Sequence, residues 1–470
     1  MFKSKTQSPT TGWNYNDPDQ GGYEVKSVPE QETGPGLVFI EGGSFTMGRI
    51  AQDVMFDWNN VPRRVTVESF YMDETEVANV DYKEYLYWLR RVYVSYPEVY
   101  RKALPDSLVW RSKLAYNEPL VEMYLRHPSY NHYPVVGVNW LQANDYCLWR
   151  TDRVNERILI REGILKDNPN QRDEDNFNTD AYLAGQYIGE VGQNLPSMDP
   201  NVEERTVQLE DGIMLPKYRL ATEAEWEYAA LGLVGNSFDE RIYERRIYPW
   251  NGDVLRNHDK KMRGKMLANY KRGRGDMMGV AGALNDAGST TLPVTSFWPN
   301  DYGLYCMAGN VNEWVLDIYR PMSFEDVEDF NPFRGNDFKV LKMEDGGIAQ
   351  KDSLGRMQYV PISAEAATSQ RRQFTKANYV NYEDGDPAST IDFLDDAAKD
   401  VGSEKMYDPK QTLINDHVRV YKGGSWNDLP YWLSPGTRRF LAEDQSRSDI
   451  GFRCAMTRVG AQSSRHFTTK

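Results

Sequence analysis

Cysteine and histidine are scarce in this sequence, positive charge is in deficit, and long apolar runs are missing. The three cysteines, Cys147, Cys306 and Cys454, stand far apart with no C-x-x-C pair, which argues against a disulfide framework or a structural zinc site. The histidines, His127, His132, His258, His417 and His466, are scattered and form no H-x-x-x-H pair, so a histidine-based metal oxidase has no ligand set to start from. Asp and Glu number 69 against 55 Lys and Arg, a formal net charge of −14. Such a chain repels phosphate backbones, and nucleic acid is not expected as a partner. No run approaches the ~18 apolar residues that span a bilayer. The opening Met1-Phe2-Lys3-Ser4-Lys5-Thr6 leads into Gly, Pro, Asn and Asp instead of an apolar signal core. The chain is therefore expected either to be cytoplasmic or to have been separated from an export signal.

Aromatic residues are what the chain has in quantity: 12 Trp, 30 Tyr and 17 Phe among 470 residues. Large rings offset a hydrophobic share of only 40 %, because each buries more area than an aliphatic side chain, and a packed, loop-rich globular protein is expected. The length admits about two to four domains, or one large domain with long insertions. Residues 1–35, rich in Ser, Thr, Gln, Gly, Pro, Asn and Asp, read as an extended leader. Residues 165–213 and 321–411 are polar and exceed the ~12–15 residues of a structureless connection. Each reads as a surface excursion with partial structure, a partner-docking element, or disorder.

Local pattern places several elements. Leu37-Val38-Phe39-Ile40, closed by Gly42-Gly43 and followed by Ser44-Phe45-Thr46-Met47-Gly48, predicts two short strands joined at a turn; the alternation of Val65 to Met72 predicts a third. Thr222 followed by Glu225 is a capping box, with Trp226, Ala229 and Ala230 on one face and Gly232 as the stop. Asn139 and Gln142 repeat the same logic. Trp140, Ala143 and Cys147 then fall at i, i+3 and i+7, which makes Cys147 a core residue and not a nucleophile.

The densest run is Trp298 to Trp314, where Gly303 and Gly309 permit tight turns. Asn310 and Glu313 offer hard oxygen ligands of the kind calcium takes, or else satisfy buried backbone groups. Together with Glu41-Gly42-Gly43-Ser44-Phe45-Thr46-Met47-Gly48, Asp73-Glu74-Thr75-Glu76-Val77, Pro134-Val135-Val136-Gly137-Val138, Tyr218 to Tyr228, Tyr248-Pro249-Trp250, Gly423-Gly424-Ser425-Trp426 and Gly451-Phe452-Arg453, it resembles the formylglycine-generating-enzyme (sulfatase-modifying factor) family. The resemblance implies one α+β domain over residues 36–458, of C-type-lectin-like fold with little regular secondary structure, and a tail at 459–470. Within the family the chain is similar to lipoproteins of gliding motility and type IX secretion, of the GldJ type first and the GldK/PorK type second. The features behind this are Thr11-Gly12-Trp13-Asn14, Asp53 to Asn60, Tyr124-Leu125-Arg126-His127-Pro128 and Trp149 to Glu156. That implies a lipid-anchored protein on the periplasmic side of the outer membrane, assembled with GldK- and GldN-type ring proteins; the anchor follows from the resemblance alone.

Family members that make formylglycine use two cysteines downstream of the Gly-Gly-Ser-aromatic motif, since paired soft thiolates hold copper(I) and one exchanges with the substrate. Those positions fall at Asp428 and Leu433, so neither that catalysis nor copper is expected, and Cys454 belongs to the common framework. The resemblance also implies calcium. One site would use Asn269 and Asp286 with the Tyr270 and Gly288 carbonyls. A second would use the Gly309 and Val311 carbonyls and Glu313, with its remaining ligand at Cys306, a thiol poorly suited to a hard cation. The leading expectation is a non-catalytic assembly scaffold. The alternatives are a lectin-like module binding cell-wall glycan or peptide through Trp426, Tyr431 and Trp432, and an enzyme of altered chemistry using Asp428 with Arg438 or Arg439.

Overall fold

Strict alternation of buried and exposed residues over Arg63–Val67 makes this segment half-buried, and it pairs antiparallel with Gly43–Met47 to form the first hairpin. A computed structural model describes residues 7–20, 22–26, 30–50, 52–55, 60–198, 202–263, 265–272, 288–320, 333–336, 339–344, 346–361, 414 and 417–460. In chain order, the strands that frame the site are Leu37–Ile40 (β1), Gly43–Met47 (β2), Arg63–Val67 (β3), Phe70–Asp73 (β4), Tyr218–Leu220 (β5), Asn312–Ile318 (β6), Val418–Lys422 (β7), Arg439–Ala442 (β8), Ile450–Gly451 (β9) and Cys454–Thr457 (β10). One four-stranded sheet has the order β1-β4-β10-β5, antiparallel throughout; the other has the order β8-β7-β6-β9, with β9 parallel to β6.

The strands predicted at 37–40 and 44–48 exist, but they do not pair with each other, and the strand predicted from Val65 is two. β1 joins β4 while β2 joins β3. The chain switches sheets where Gly42 crosses Ser69: the Gly42 N–H donates to Ser69 Oγ at 3.0 Å, and a Cβ at 42 would lie 2.4 Å from the Val67 carbonyl oxygen. Only glycine lets the two backbones approach this closely.

Three helices cover the sheets: Asn79–Val92 (α1), Trp140–Arg161 (α2) and Glu223–Leu231 (α3). Asn139 starts α2 through the capping box with Gln142, and Thr222 starts α3 through the box with Glu225. Gly232 ends α3 in the left-handed region at φ 57°. Tyr82 and Tyr85 of α1, Tyr146 of α2 and Phe452 pack as a ring cluster, with Tyr82 and Tyr146 stacked at 5.7 Å. Cys147 lies in this core as expected. Its partner there was hidden by sequence distance: the Cys147 and Cys454 sulfurs are 3.2 Å apart, both buried. They meet because α2 packs on β5, which pairs with β10, and both thiols are free.

The 165–213 stretch carries its own small core, in which Phe177, Tyr182, Val207 and Met214 join Leu159 and Leu165. Its short helix Thr179–Leu183 is held to α2 by the Thr179 N–H donating to Asp152 at 2.8 Å. The described part of 321–411 rests on it. Gln186 Nε2 donates to the Ala349 carbonyl, the Lys351 N–H donates to Gln186 Oε1, and Tyr359 Oη donates to Asp180. In the leader, Lys26 pairs with Asp211 and Glu30 with Arg458. No helix among the described residues is long and apolar enough to cross a membrane.

Candidate functional site

β7 ends at Lys422, and the next two residues turn the chain with positive φ, 101° at Gly423 and 70° at Gly424. A Cβ at 423 would press on the Trp226 ring at 3.0 Å, and one at 424 would meet the Trp432 carbonyl oxygen at 2.8 Å. This turn delivers Ser425, Trp426 and Asp428 to the end of the second sheet, and a single helical turn, Pro430–Leu433, leads on to β8. At the first of the two positions that the sequence resemblance matches to a cysteine, Asp428 is buried and fully engaged. Arg439 clamps both of its oxygens at 2.6 and 2.8 Å, Ser425 Oγ donates at 2.6 Å and Asn312 Nδ2 at 2.9 Å. Burial opposes its charge, but the Arg439 guanidinium and these donors outweigh it and hold the carboxyl below its usual range. Nearby Asp449, paired with Arg447 at 2.8 Å, goes the other way: burial raises it and the Asp428 charge adds to the effect.

Leu433, at the second position, is 0 % exposed and packs among Tyr248, Met266, Ala268, Tyr270 and Ala308. Beside it Tyr431 and Trp432 form one wall of a cavity of about 290 Å³, facing Asp53, Asn60 and Ile247. Asn60 is fixed there by donating to the Gly436 carbonyl. Trp432 presents one ring face to Arg439 at 4.4 Å and takes Tyr431 edge-on at 4.8 Å. Trp426 is stacked on Trp110 at 5.9 Å, so it serves packing. Of the two arginines proposed as partners of Asp428, only Arg439 reaches it. Arg438 turns inward to Glu223 at 2.9 Å, because successive strand residues point to opposite faces.

Beneath the turn lies a charge cluster that sequence reasoning missed. Lys422 Nζ donates to Glu223 at 3.0 Å and to Glu227 at 2.9 Å, with all three side chains at most 1 % exposed. Glu227 also accepts the Gly48 N–H at 2.7 Å, and Asp317 accepts the Glu223 N–H at 2.6 Å. The available signal was Glu223 and Glu227 at i and i+4 around Trp226, two acids on one face of a helix with no polar side.

The loops expected to hold calcium are brought together. Asn310 N–H donates to the Asn269 carbonyl at 2.9 Å, and a Cβ at Gly309 would lie 2.4 Å from that same oxygen. Asn269 is buried, and its Nδ2 donates to the Thr290 carbonyl at 2.8 Å, which turns Oδ1 into its remaining acceptor. Tyr270 and Gly288 are buried beside it; Asp286 lies outside the described residues. The second donor set does not fit calcium as it stands. Arg453 takes both Glu313 oxygens at 2.6 Å and Trp226 Nε1 adds a third contact at 2.7 Å. Cys306 supplies a buried thiol that donates to the Val294 carbonyl, its pKa pushed up by burial and then by Glu76. Val311 contributes its N–H to Glu76 at 3.2 Å.

Chemically, the groove floor presents an ionised, immobilised carboxylate and a sealed isobutyl group. Cys147 and Cys306 are buried with their thiols held neutral by that burial. Among the described residues no group of three or more His, Cys, Asp or Glu converges on a metal position.

Comparison with known proteins gives the following. The model of the sulfatase-modifying factor enzyme 1-like domain matches residues 23–458. Formylglycine-generating enzyme of Mus musculus is 25 % identical over 63 % of this chain and 61 % of its own length; that of Bos taurus is 25 % identical over 62 % and 60 %. The match thus spans about three fifths of these relatives. The Mus musculus protein named inactive C-alpha-formylglycine-generating enzyme 2 is 24 % identical over 66 % of this chain and 73 % of its own length. Among solved structures, PvdO from Pseudomonas aeruginosa covers 90 % of this chain and 94 % of its own, with 15 % identity and a TM-score of 0.44.

Proposed function

The chain belongs to the sulfatase-modifying factor family, and within it we propose a non-catalytic structural protein: a lipoprotein scaffold of gliding motility and type IX secretion on the periplasmic face of the outer membrane. The observation that carries the loss of catalysis is the fate of the two thiol positions. Asp428 is locked to Arg439, Ser425 and Asn312, and Leu433 is sealed from solvent. A carboxylate and a hydrocarbon cannot hold copper(I) or exchange with a substrate thiol. Relatives named as active and as inactive both match the chain, so membership of the family is compatible with either outcome, and the reading rests on the chemistry of Asp428 and Leu433.

Incubating the purified chain with copper and a cysteine peptide is expected to give no aldehyde above a protein-free control. Multiple turnover would overturn this reading. The gliding and secretion role rests on the sequence resemblance and is tested by pull-down from envelope fractions. GldK- and GldN-type proteins are the expected partners, and their absence removes the assignment.

In the same reading a calcium ion held by Asn269 and Asp286 with the Tyr270 and Gly288 carbonyls is structural, tying that loop to Gly309. Its support is the sequence resemblance together with the buried position of Asn269 against the Gly309 loop. Chelation is expected to lower the melting temperature and added calcium to restore it; an unchanged melt removes the ion.

A second reading is favoured by the cavity at Tyr431 and Trp432, which has room for a small ring or side chain. Saturable binding of a cell-wall glycan or peptide, lost in Trp432→Ala, would establish a binding module there.

A further inference from the structure

A cavity of about 500 Å³ lies away from that site, between the outer face of α1 and the segment 100–126. Its floor is apolar, built from Leu86, Tyr100, Leu104, Trp110, Leu120 and Leu125. Apolar surface continues beyond it: Tyr87 is 63 % exposed, and the following segment exposes Leu108, Leu114, Tyr116 and Met123. Exposed apolar side chains gathered along one segment in this way suit an interaction site.

The rim carries the opposite sign to the rest of the molecule. Lys83, Arg90 and Arg126 face the groove in a chain whose net charge is −14. Arg90 and Arg126 are exposed, and neither guanidinium has an ion-pair or hydrogen-bond partner among the described residues; Lys83 donates to Asn131. Two carboxylates share the lining, Glu122 and Asp106, the latter accepting the Leu108 N–H at 2.9 Å, so three cations face two anions there. Exposed arginines with carboxylate partners occur elsewhere on the surface, as Arg111 with Glu118 and Arg161 with Glu32.

From this we infer that the groove between α1 and residues 100–126 is a docking site for an acidic, leucine- or phenylalanine-bearing peptide segment of a partner protein. Apolar side chains enter the floor and carboxylates meet Arg90 and Arg126. The arginines suit this because their planar forks bind carboxylates through two parallel hydrogen bonds. The inference goes beyond the scaffold reading and does not need it, since a working enzyme of this family could carry the same groove.

The test uses the full chain and a fluorescein-labelled peptide in which Asp and Glu alternate with Leu and Phe, read by anisotropy. Saturable binding is expected, falling with salt and weakened about tenfold or more in Arg90→Glu/Arg126→Glu, where like charges oppose. Both positions are exposed, and an unchanged circular dichroism melt certifies the fold. A second variant, Leu104→Ser, is expected to weaken binding without altering its salt dependence. Any of three results overturns the proposal: equal binding of the version with Lys in place of Asp and Glu, affinity unchanged by the charge reversal, or a concentration-dependent dimer of this chain that the reversal dissolves.

Discussion

Arg439 holds Asp428 by both carboxylate oxygens, and the same guanidinium lies between the rings of Tyr421 at 4.9 Å and Trp432 at 4.4 Å. The pair is thus fixed from three sides. Its carboxyl lies below its usual range, so its contribution to stability is fully present above about pH 4 and is lost as pH falls through the native value. Asp428→Asn is expected to cost about 3 kcal/mol at neutral pH by leaving Arg439 uncompensated, and to flatten the acid limb of the stability curve. Urea titrations at several pH values check both; a parallel acid limb in the variant would contradict the assignment.

Lys422 sits at the centre of the buried cluster, and removing it strands Glu227. Glu223 keeps Arg438, but Glu227 keeps only the Gly48 N–H among the contacts described above. Lys422→Met is expected to destabilise by about 3–5 kcal/mol, and adding Glu227→Gln to recover part of the loss. A double-mutant cycle in chemical denaturation measures the coupling.

Asp317 is pushed up to about 7, by burial first and by the Glu223 charge second. Between about pH 4 and that value the native state keeps a proton that the unfolded chain has released, so stability from this group falls as pH rises through the window. Asp317→Asn can still accept the Glu223 N–H and is expected to abolish that slope. Denaturation midpoints near pH 5 and near pH 7 that differ as much in the variant as in the parent would refute it.

The Cys147 and Cys454 sulfurs, 3.2 Å apart, tie α2 to β10. Oxidative refolding is expected to join them, since the backbone already holds the two side chains in reach, while Cys306 stays free. Mass spectrometry of unreduced peptides reports the link; complete alkylation of all three thiols after oxidation would exclude it. Because the loop enclosed is long, the oxidised form is expected to be more stable by about 2–4 kcal/mol.

Local chemistry was legible in the sequence and long-range geometry was not. Both capping boxes, the Gly232 stop and the core place of Cys147 were readable because each depends on neighbours within a helical turn or two. The sheet switch at Gly42 was not, since it depends on Ser69 arriving at the same point. Nor could composition choose Arg439 over Arg438 for Asp428; the choice follows from the opposite directions the two side chains take where β8 begins, and register is set by the whole sheet. The Lys422 cluster joins residues about 200 positions apart, so no window of sequence contains it. Asp428 and Leu433 were located through motif order, but that one is clamped and the other sealed required coordinates.

The strand Cys454–Thr457 lies between β4 and β5, in the interior of the first sheet, although it follows both of them in the chain. The nascent chain therefore cannot close that sheet until residues 454–457 have left the ribosome. Until then, the edges of β4 and β5 stay open to mispairing. Closure of this sheet waits on residues 454–457, and a premature stop anywhere before residue 454 leaves β4 and β5 without the strand that joins them.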